Sequence, residues 1–284
     1  MMTRIDGNTL IGRFEQFASP RLAEKWDHVG LQLGNPDRPI RKLMTTLDVR
    51  PETVQEAIAA GVDFIFAHHP VMFHPARDLD TRNPQNAMYA QLLAHQITVY
   101  AAHTNLDTAN GGMNDWLAAR LRLSNCQPLV PAGSDPVTGQ PVGMGRIGDF
   151  AGSMNAAAFA RYCMRTFNVA GLRLVVNPAD RDRQIHRVAV LGGAGQDFYQ
   201  QAVKLGADAY VTGDVSYHFA HDMIANHLTV VDPGHHIEAV AEHGLATLIR
   251  GWQKEYGWDF DLVENRINTD PFTFMLAPGK QDEN

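Results

Sequence analysis

Five residues in three short segments have the types and spacing for metal chemistry. They are the adjacent pair His68-His69, the aspartate that ends His103-Thr104-Asn105-Leu106-Asp107, and His235 with Glu238 in His235-His236-Ile237-Glu238. Neutral imidazole is the commonest protein metal ligand and a general base near neutral pH, so a chain with thirteen histidines is read first at its histidines. Each segment alone has a plainer reading. Paired histidines occur at ordinary turns, Asp107 suits a helix cap, and Glu238 suits the first turn of a helix, facing the positive end of its dipole. On a helix, however, residues three apart share a face, so an imidazole at 235 and a carboxylate at 238 can hold one centre. Three imidazoles and two carboxylates exceed the needs of one ion. With a carboxylate able to bridge, they point to two divalent ions per subunit, ~3.5–4 Å apart and sharing a water or hydroxide. The donor set suits zinc, iron, manganese or nickel.

Such ligands need a frame that brings distant segments together. Apolar runs at 42–49 (KLMTTLDV), 62–68 (VDFIFAH), 97–103 (ITVYAAH), 186–193 (HRVAVLGG), 208–214 (DAYVTGD) and 228–234 (LTVVDPG) read as buried strands. Helical patterns alternate with them: 51–61 from Pro51 to Gly61, 84–95, the stretch after Gly111-Gly112, 196–205, 216–226, and a long helix from His235 to Tyr256. This is the α/β class, with two similar α/β regions whose largely parallel sheets are covered on both faces. Ligands of such sheets bind beyond the carboxyl ends of the strands. His68-His69, the 103–107 run, Asp214 and His235 all fall at such ends. The Pro, Gly and polar stretch 127–140 (QPLVPAGSDPVTGQ) reads as a linker or loop, and the boundary between the two regions is placed there.

With 284 residues the chain has room for two cores, and its 45% hydrophobic and 19% charged content is that of a soluble globular protein. No apolar run approaches the ~18–20 residues that span a bilayer. The first residues, MMTRIDGNTLIGRFEQF, carry acids where a signal peptide has its apolar run and read as an amphipathic helix. Cys126 and Cys163 have no zinc-like spacing, and a lone pair hardly staples a chain of this size, so a reducing cytoplasm is the expected location. A net charge of −7 makes nucleic acid an unlikely partner.

Other motifs have bland readings. Gly192-Gly193-Ala194-Gly195 hints at a dinucleotide loop, but Phe198 stands where the third small residue belongs, so a tight strand-to-helix turn is expected. His218 and His221, three apart on a helix, read either as a polar face or, near Asp214, as contacts to ligands or substrate. His74 and His103 have the same standing. His103 and His218 are the candidate catalytic residues, as movers of protons.

Several segments recur together: Trp26-Asp27-His28-Val29-Gly30-Leu31-Gln32-Leu33-Gly34, His68-His69-Pro70, the HTNLD run ending in Asp107, Thr212-Gly213-Asp214 followed by His218, Asp232 to Glu238, and Asn268-Thr269-Asp270-Pro271-Phe272. In this order, over nearly the whole chain, they resemble the Nif-three-like dinuclear-metal proteins, whose bacterial members are often labelled type 2 GTP cyclohydrolase I homologs. The resemblance implies a discontinuous metal-binding α/β domain, 1–126 plus 233–284, with a second α/β domain, 127–232, inserted in it. It implies His68, His69, Asp107, His235 and Glu238 as ligands, with Glu238 the bridge. It also implies a ring-shaped homohexamer whose metal sites face an internal cavity. Many members place the last Glu four residues after the His, whereas here the gap is three, and His236 replaces His235 if the helix begins later. The extra domain that some relatives insert mid-chain is absent.

The function implied is metal-dependent hydrolysis of a small molecule or nucleotide, with GTP suggested by the family label. The alternative, from another class, is a non-catalytic metal-binding assembly or regulatory protein, whose coordination would be filled by protein.

Overall fold

Within each apolar run, alternate residues face different cores, as a strand buried on both sides requires. In a computed structural model describing residues 3–135 and 137–275, the first half of the chain runs α1 (Gly7–Phe17), β1 (Gly30–Leu33), β2 (Lys42–Thr46), α2 (Pro51–Ala59), β3 (Phe64–Ala67), α3 (Pro84–Ala94), β4 (Thr98–Ala101), α4 (Thr104–Thr108) and α5 (Met113–Arg120). The second half runs β5 (Leu123–Ser134), β6 (Pro141–Met154), α6 (Ala156–Phe167), β7 (Arg173–Val175), β8 (Ile185–Val190), α7 (Tyr199–Lys204), β9 (Ala209–Val211), α8 (Tyr217–Ala225), β10 (Thr229–Asp232), α9 (Val240–Tyr256) and β11 (Asp261–Glu264). Phe64 and Phe66 of β3 enter one core and Ile65 and Ala67 another, and Val211 and Tyr210 of β9 divide the same way.

Two sheets result, in the order β1-β4-β3-β2-β11 and β5-β6-β8-β9-β10-β7. In the first, β4, β3, β2 and β11 are parallel and β1 is an antiparallel edge. In the second, β8, β9 and β10 are parallel, flanked by the antiparallel β5–β6 hairpin on one side and β7 on the other. The α/β class is therefore as expected, with antiparallel strands added at the margins. The chain leaves the first sheet after β4 and rejoins it only at β11.

One apolar cluster lies between the sheets and draws on both, joining Phe14, Phe66, Tyr100, Leu117, Phe159, Val211 and Leu245. Burying one such aromatic stabilises by roughly 1.5–3 kcal/mol. Outer clusters pack α2 and α3 on the first sheet, and α7 and α8 on the second. Local chemistry sets the helix ends. Asp6 caps α1 by accepting from the Thr9 N–H at 2.8 Å, and Gly257, at φ 67°, ends α9 in the left-handed conformation.

Two expectations need correction. Most of the 127–140 stretch is neither linker nor loop: Gln127 to Ser134 belong to β5, paired with β6, and only its end is a turn, where the Asp135 carboxylate accepts from the Val137 and Thr138 N–H groups. Pro136 of that stretch lies outside the described residues. An edge strand tolerates prolines and polar side chains, so Pro128 and Pro131 disguised it as loop. The helices expected over 196–205 and from His235 both open with 3-10 turns, Gln196–Phe198 and His235–Ala239. None of the described helices is long and apolar enough to cross a membrane. Cys126 and Cys163 are both free thiols.

Candidate metal centre

His68 and His69 follow β3 directly, and their backbone N–H groups continue its ladder onto the Thr46 and Leu47 carbonyls. The His68 ring is fully buried, with Nδ1 2.7 Å from the Ala102 carbonyl oxygen. Its Nε2 lies 3.7 Å from Asp107 Oδ1 and 3.8 Å from Glu238 Oε1. His69 Nδ1 is 2.7 Å from Asp48 Oδ1, and its Nε2 is 3.1 Å from Glu238 Oε2. His235 repeats the pattern, with Nδ1 2.8 Å from Asp214 Oδ2 and Nε2 3.1 Å from the same Glu238 oxygen. An acceptor at Nδ1 leaves the Nε2 lone pair for the centre, the arrangement typical of metal-bound histidines.

The three-residue gap between His235 and Glu238 has a physical explanation. These residues lie in a 3-10 turn, where positions three apart eclipse one another. His236 points elsewhere, its Nε2 3.4 Å from the Thr269 hydroxyl, so His235 and not its neighbour faces Glu238.

The donors form overlapping groups. His68, Asp107 and Glu238 make one, His69, His235 and Glu238 a second, and His68, His69 and His103 a third, with one donor atom of each member within 4.8 Å of the others. The first two share Glu238. Buried polar atoms without partners are costly, yet His68 Nε2 and Asp107 Oδ1 are both buried and, among the described residues, lack a hydrogen-bond partner. Their separation is that of two ligands ~2.0–2.2 Å from a common ion, so the residues fit a divalent metal.

Electrostatics agree. Burial works against charge on Glu238, but the imidazoles of His235, His68 and His69 gathered around it hold it well below the usual carboxylate range. Burial, reinforced by the Glu238 charge, pushes the Asp107 carboxyl up. Burial likewise opposes charge on His69, yet Asp48 and Glu238 raise it to about 10. His235 is raised to about 9 against its burial by Glu238 and Asp214. The carboxylates demand positive charge, which protons supply and a metal ion would supply in their place.

A cavity of about 600 Å³ opens beside the centre, lined by His69, His103, Asp107, His235 and Glu238, with Trp26 and Phe73 on its wall. That volume falls in the range of small-molecule pockets. Trp26 and Phe73 are each 56% exposed, so Trp26 belongs to the cavity wall and not to the core. The Gly192-Gly193-Ala194 turn forms part of the lining, and a Cβ at Gly192 would stand 2.6 Å from Glu238 Oε1. The glycines thus make room for the carboxylate, in the tight strand-to-helix turn expected. A second cavity of about 590 Å³ lies on another side of His69 and His235, lined also by Asp48, His236 and Thr269.

Of the remaining candidates, His103 lines the first cavity, its Nδ1 3.0 Å from Asp27 Oδ1 but off the line of a good hydrogen bond. Although partial burial opposes it, His103 and Thr104 hold the Asp27 carboxyl down at about 2. His218 is not brought to the centre. Helix α8 begins only after the turn at Asp214 and carries His218 and His221 on an exposed face against Tyr217. His74 lines a separate surface hollow near Phe73. Asp48 was missed in the sequence, although a polar residue at the end of an apolar strand was a usable signal.

The class defined here is an α/β protein with imidazoles and carboxylates gathered at strand ends of two sheets, in groups that could hold a metal ion. The chain belongs to the Duf34/NIF3 (NGG1p interacting factor 3) family, whose model matches residues 5–271. It is 38% identical over 264 residues to a GTP cyclohydrolase 1 type 2 homolog of Streptococcus pneumoniae, covering 93% of this chain and 97% of that protein. The protein of the same name from Lactococcus lactis is 33% identical over 259 residues, 91% of this chain and 95% of its own. Among solved structures, a Bacillus cereus protein related to NIF3 superposes with a TM-score of 0.91 at 28% identity, covering 96% of this chain and all of that one. Reduced HcgD from Methanocaldococcus jannaschii gives 0.73 at 29% identity, covering 92% and 99%.

Proposed function

We propose that the chain is a dinuclear metal protein that hydrolyses a small molecule held in the cavity of about 600 Å³. The observation that carries this reading is Glu238, a buried carboxylate common to two donor groups. His68 and Asp107 with Glu238 would hold one ion, and His69 and His235 with Glu238 the other. Held by those residues, divalent ions would supply a bound water of lowered pKa and a Lewis acid for a carbonyl or phosphoryl oxygen. The side chains around them do the rest. Asp48 and Asp214 orient His69 and His235. Trp26 and Phe73 give the substrate an apolar wall. His103 sits beside the ligands to take or return a proton, with the Asp27 carboxylate 3.0 Å behind its Nδ1. A cytoplasmic, ring-shaped homohexamer belongs to the same reading.

The name carried by the S. pneumoniae and L. lactis relatives makes GTP the first substrate to test, through purine-ring opening with release of formate. A specific observation favours the non-catalytic alternative: His103 also forms a donor group with His68 and His69, and as a ligand it would help fill the coordination with protein. Zinc- and manganese-loaded protein, incubated with GTP and a panel of phosphoesters and cyclic amides, separates the two. Turnover that chelation abolishes is the expected result. Metal-replete protein that turns over none of them supports the assembly or regulatory role instead.

A further inference from the structure

The segment after β11 reaches the back of the ligand shell. Asn265 anchors it: its N–H donates to the Thr45 carbonyl, and its side chain bonds Glu242 and both polar groups of Ile267. Asx turns at Asn268 and Asp270 then shape the chain around Thr269, whose hydroxyl donates to Asp48 Oδ2 at 2.5 Å. The other oxygen of that carboxylate faces His69 Nδ1 at 2.7 Å. Among the described residues, the Asp48 carboxylate hydrogen-bonds only Thr269 and His69.

We propose that Thr269 is a positioning residue for the metal centre: its hydroxyl fixes the Asp48 carboxylate, which in turn fixes the ring and tautomer of His69. The inference rests on the dinuclear reading above and adds to it a residue outside the ligand set. Proton counting supports the direction of the chain. A hydroxyl has one proton, and with that proton given to Asp48 the Thr269 oxygen can only accept from His236, whose Nε2 lies 3.4 Å away. Asp48 then accepts on both oxygens, so the His69 Nδ1 carries a hydrogen toward it and Nε2 is the nitrogen left for the centre. Without the hydroxyl, one carboxylate oxygen of Asp48 loses its partner and the side chain is free to rotate. The ring it orients follows.

Zinc alone is the probe, titrated into metal-free full-length protein in competition with a chromophoric chelator. Thr269→Val, which keeps the shape and removes the hydroxyl, is expected to weaken binding at one of two sites by about 10–100-fold, the usual effect of losing a partner behind a ligand. Thr269→Ser restores wild-type binding. A merely structural role is separated by a cycle with Asp48→Asn, in which Thr269→Val adds little to a loss that Asp48→Asn has already produced. Wild-type protein that binds two zinc ions, with Thr269→Val binding them equally tightly or its effect adding fully to that of Asp48→Asn, overturns this proposal alone. Wild-type protein that binds no zinc overturns the dinuclear reading and this one with it. If Thr269→Val does not fold, weakened binding by Thr269→Ser relative to wild type is the overturning result.

Discussion

Glu238 touches three imidazoles from two distant segments and is 3% exposed, so its charge is offset chiefly by what those imidazoles carry. Replacing it with Gln keeps the size and removes the charge that holds two dications near each other, so one ion should be expelled while the fold persists. The imidazoles make a pH prediction with a definite sign. His69 and His235, raised to about 10 and about 9, carry protons that an ion must displace. Zinc affinity therefore rises with pH from neutrality and levels off above about 10, with protons released at pH 7, and titration calorimetry in buffers of different ionisation enthalpy counts them. Affinity independent of pH would contradict the protonated imidazoles. In metal-free protein the same raised values stabilise the fold fully below about 6.5, and that stability is lost as pH rises through about 9 to 10. At this scale the five candidate ligands, which the fold gathers into overlapping groups, were legible because His and acid at strand ends are unusual. Asp48, Asp27 and Thr269 were not readable as supports, because their roles depend on partners 21, 77 and 221 residues away in the chain.

Elements place these residues through two devices, a 3-10 turn that eclipses His235 with Glu238 and a glycine turn that leaves space for the Glu238 carboxylate. Adding a methyl group at Gly192 puts a Cβ 2.6 Å from Glu238 Oε1 and 3.1 Å from Leu117 Cδ1. Gly192→Ala should therefore destabilise by about 1–3 kcal/mol, the range for overpacking, and also lower zinc content, since the carboxylate must move. Thermal unfolding and elemental analysis of the purified variant check both effects. Unchanged stability with full metal would mean that the turn yields without disturbing the site. The six strands expected from apolar runs, β2, β3, β4, β8, β9 and β10, are each flanked by strands on both sides, which is why their sequences are continuously apolar. The unexpected ones, β1, β5, β6, β7 and β11, are edges or part of the marginal hairpin. β1, β5, β7 and β11 are partly exposed and carry polar residues, proline or glycine, and β6, though buried over 142–148, is interrupted by Gly143, Gly145, Gly148 and Gly152, so no continuous run announced them.

At the scale of the whole molecule, the centre lies where the strand ends of both sheets meet across one shared core. His68 and His69 follow β3 of the first sheet and Asp107 lies in α4, which follows β4, while His235 and Glu238 come from the 3-10 turn after β10 of the second. Neither half holds a complete set, so metal should raise the unfolding temperature of the entire chain cooperatively. The proposed ring makes a further prediction: light scattering at micromolar concentration should give six times 31.4 kDa, about 188 kDa, for a closed symmetric oligomer. A monomer mass would exclude the ring while leaving the ligand groups within one chain intact. The reading as a whole stands most directly on the number of ions per chain. Elemental analysis of protein reconstituted with zinc, freed of loose metal and paired with an accurate protein concentration, should give two ions per chain for the wild type and one for Glu238→Gln. One ion in the wild type, or two retained in the variant, would contradict a centre bridged by Glu238.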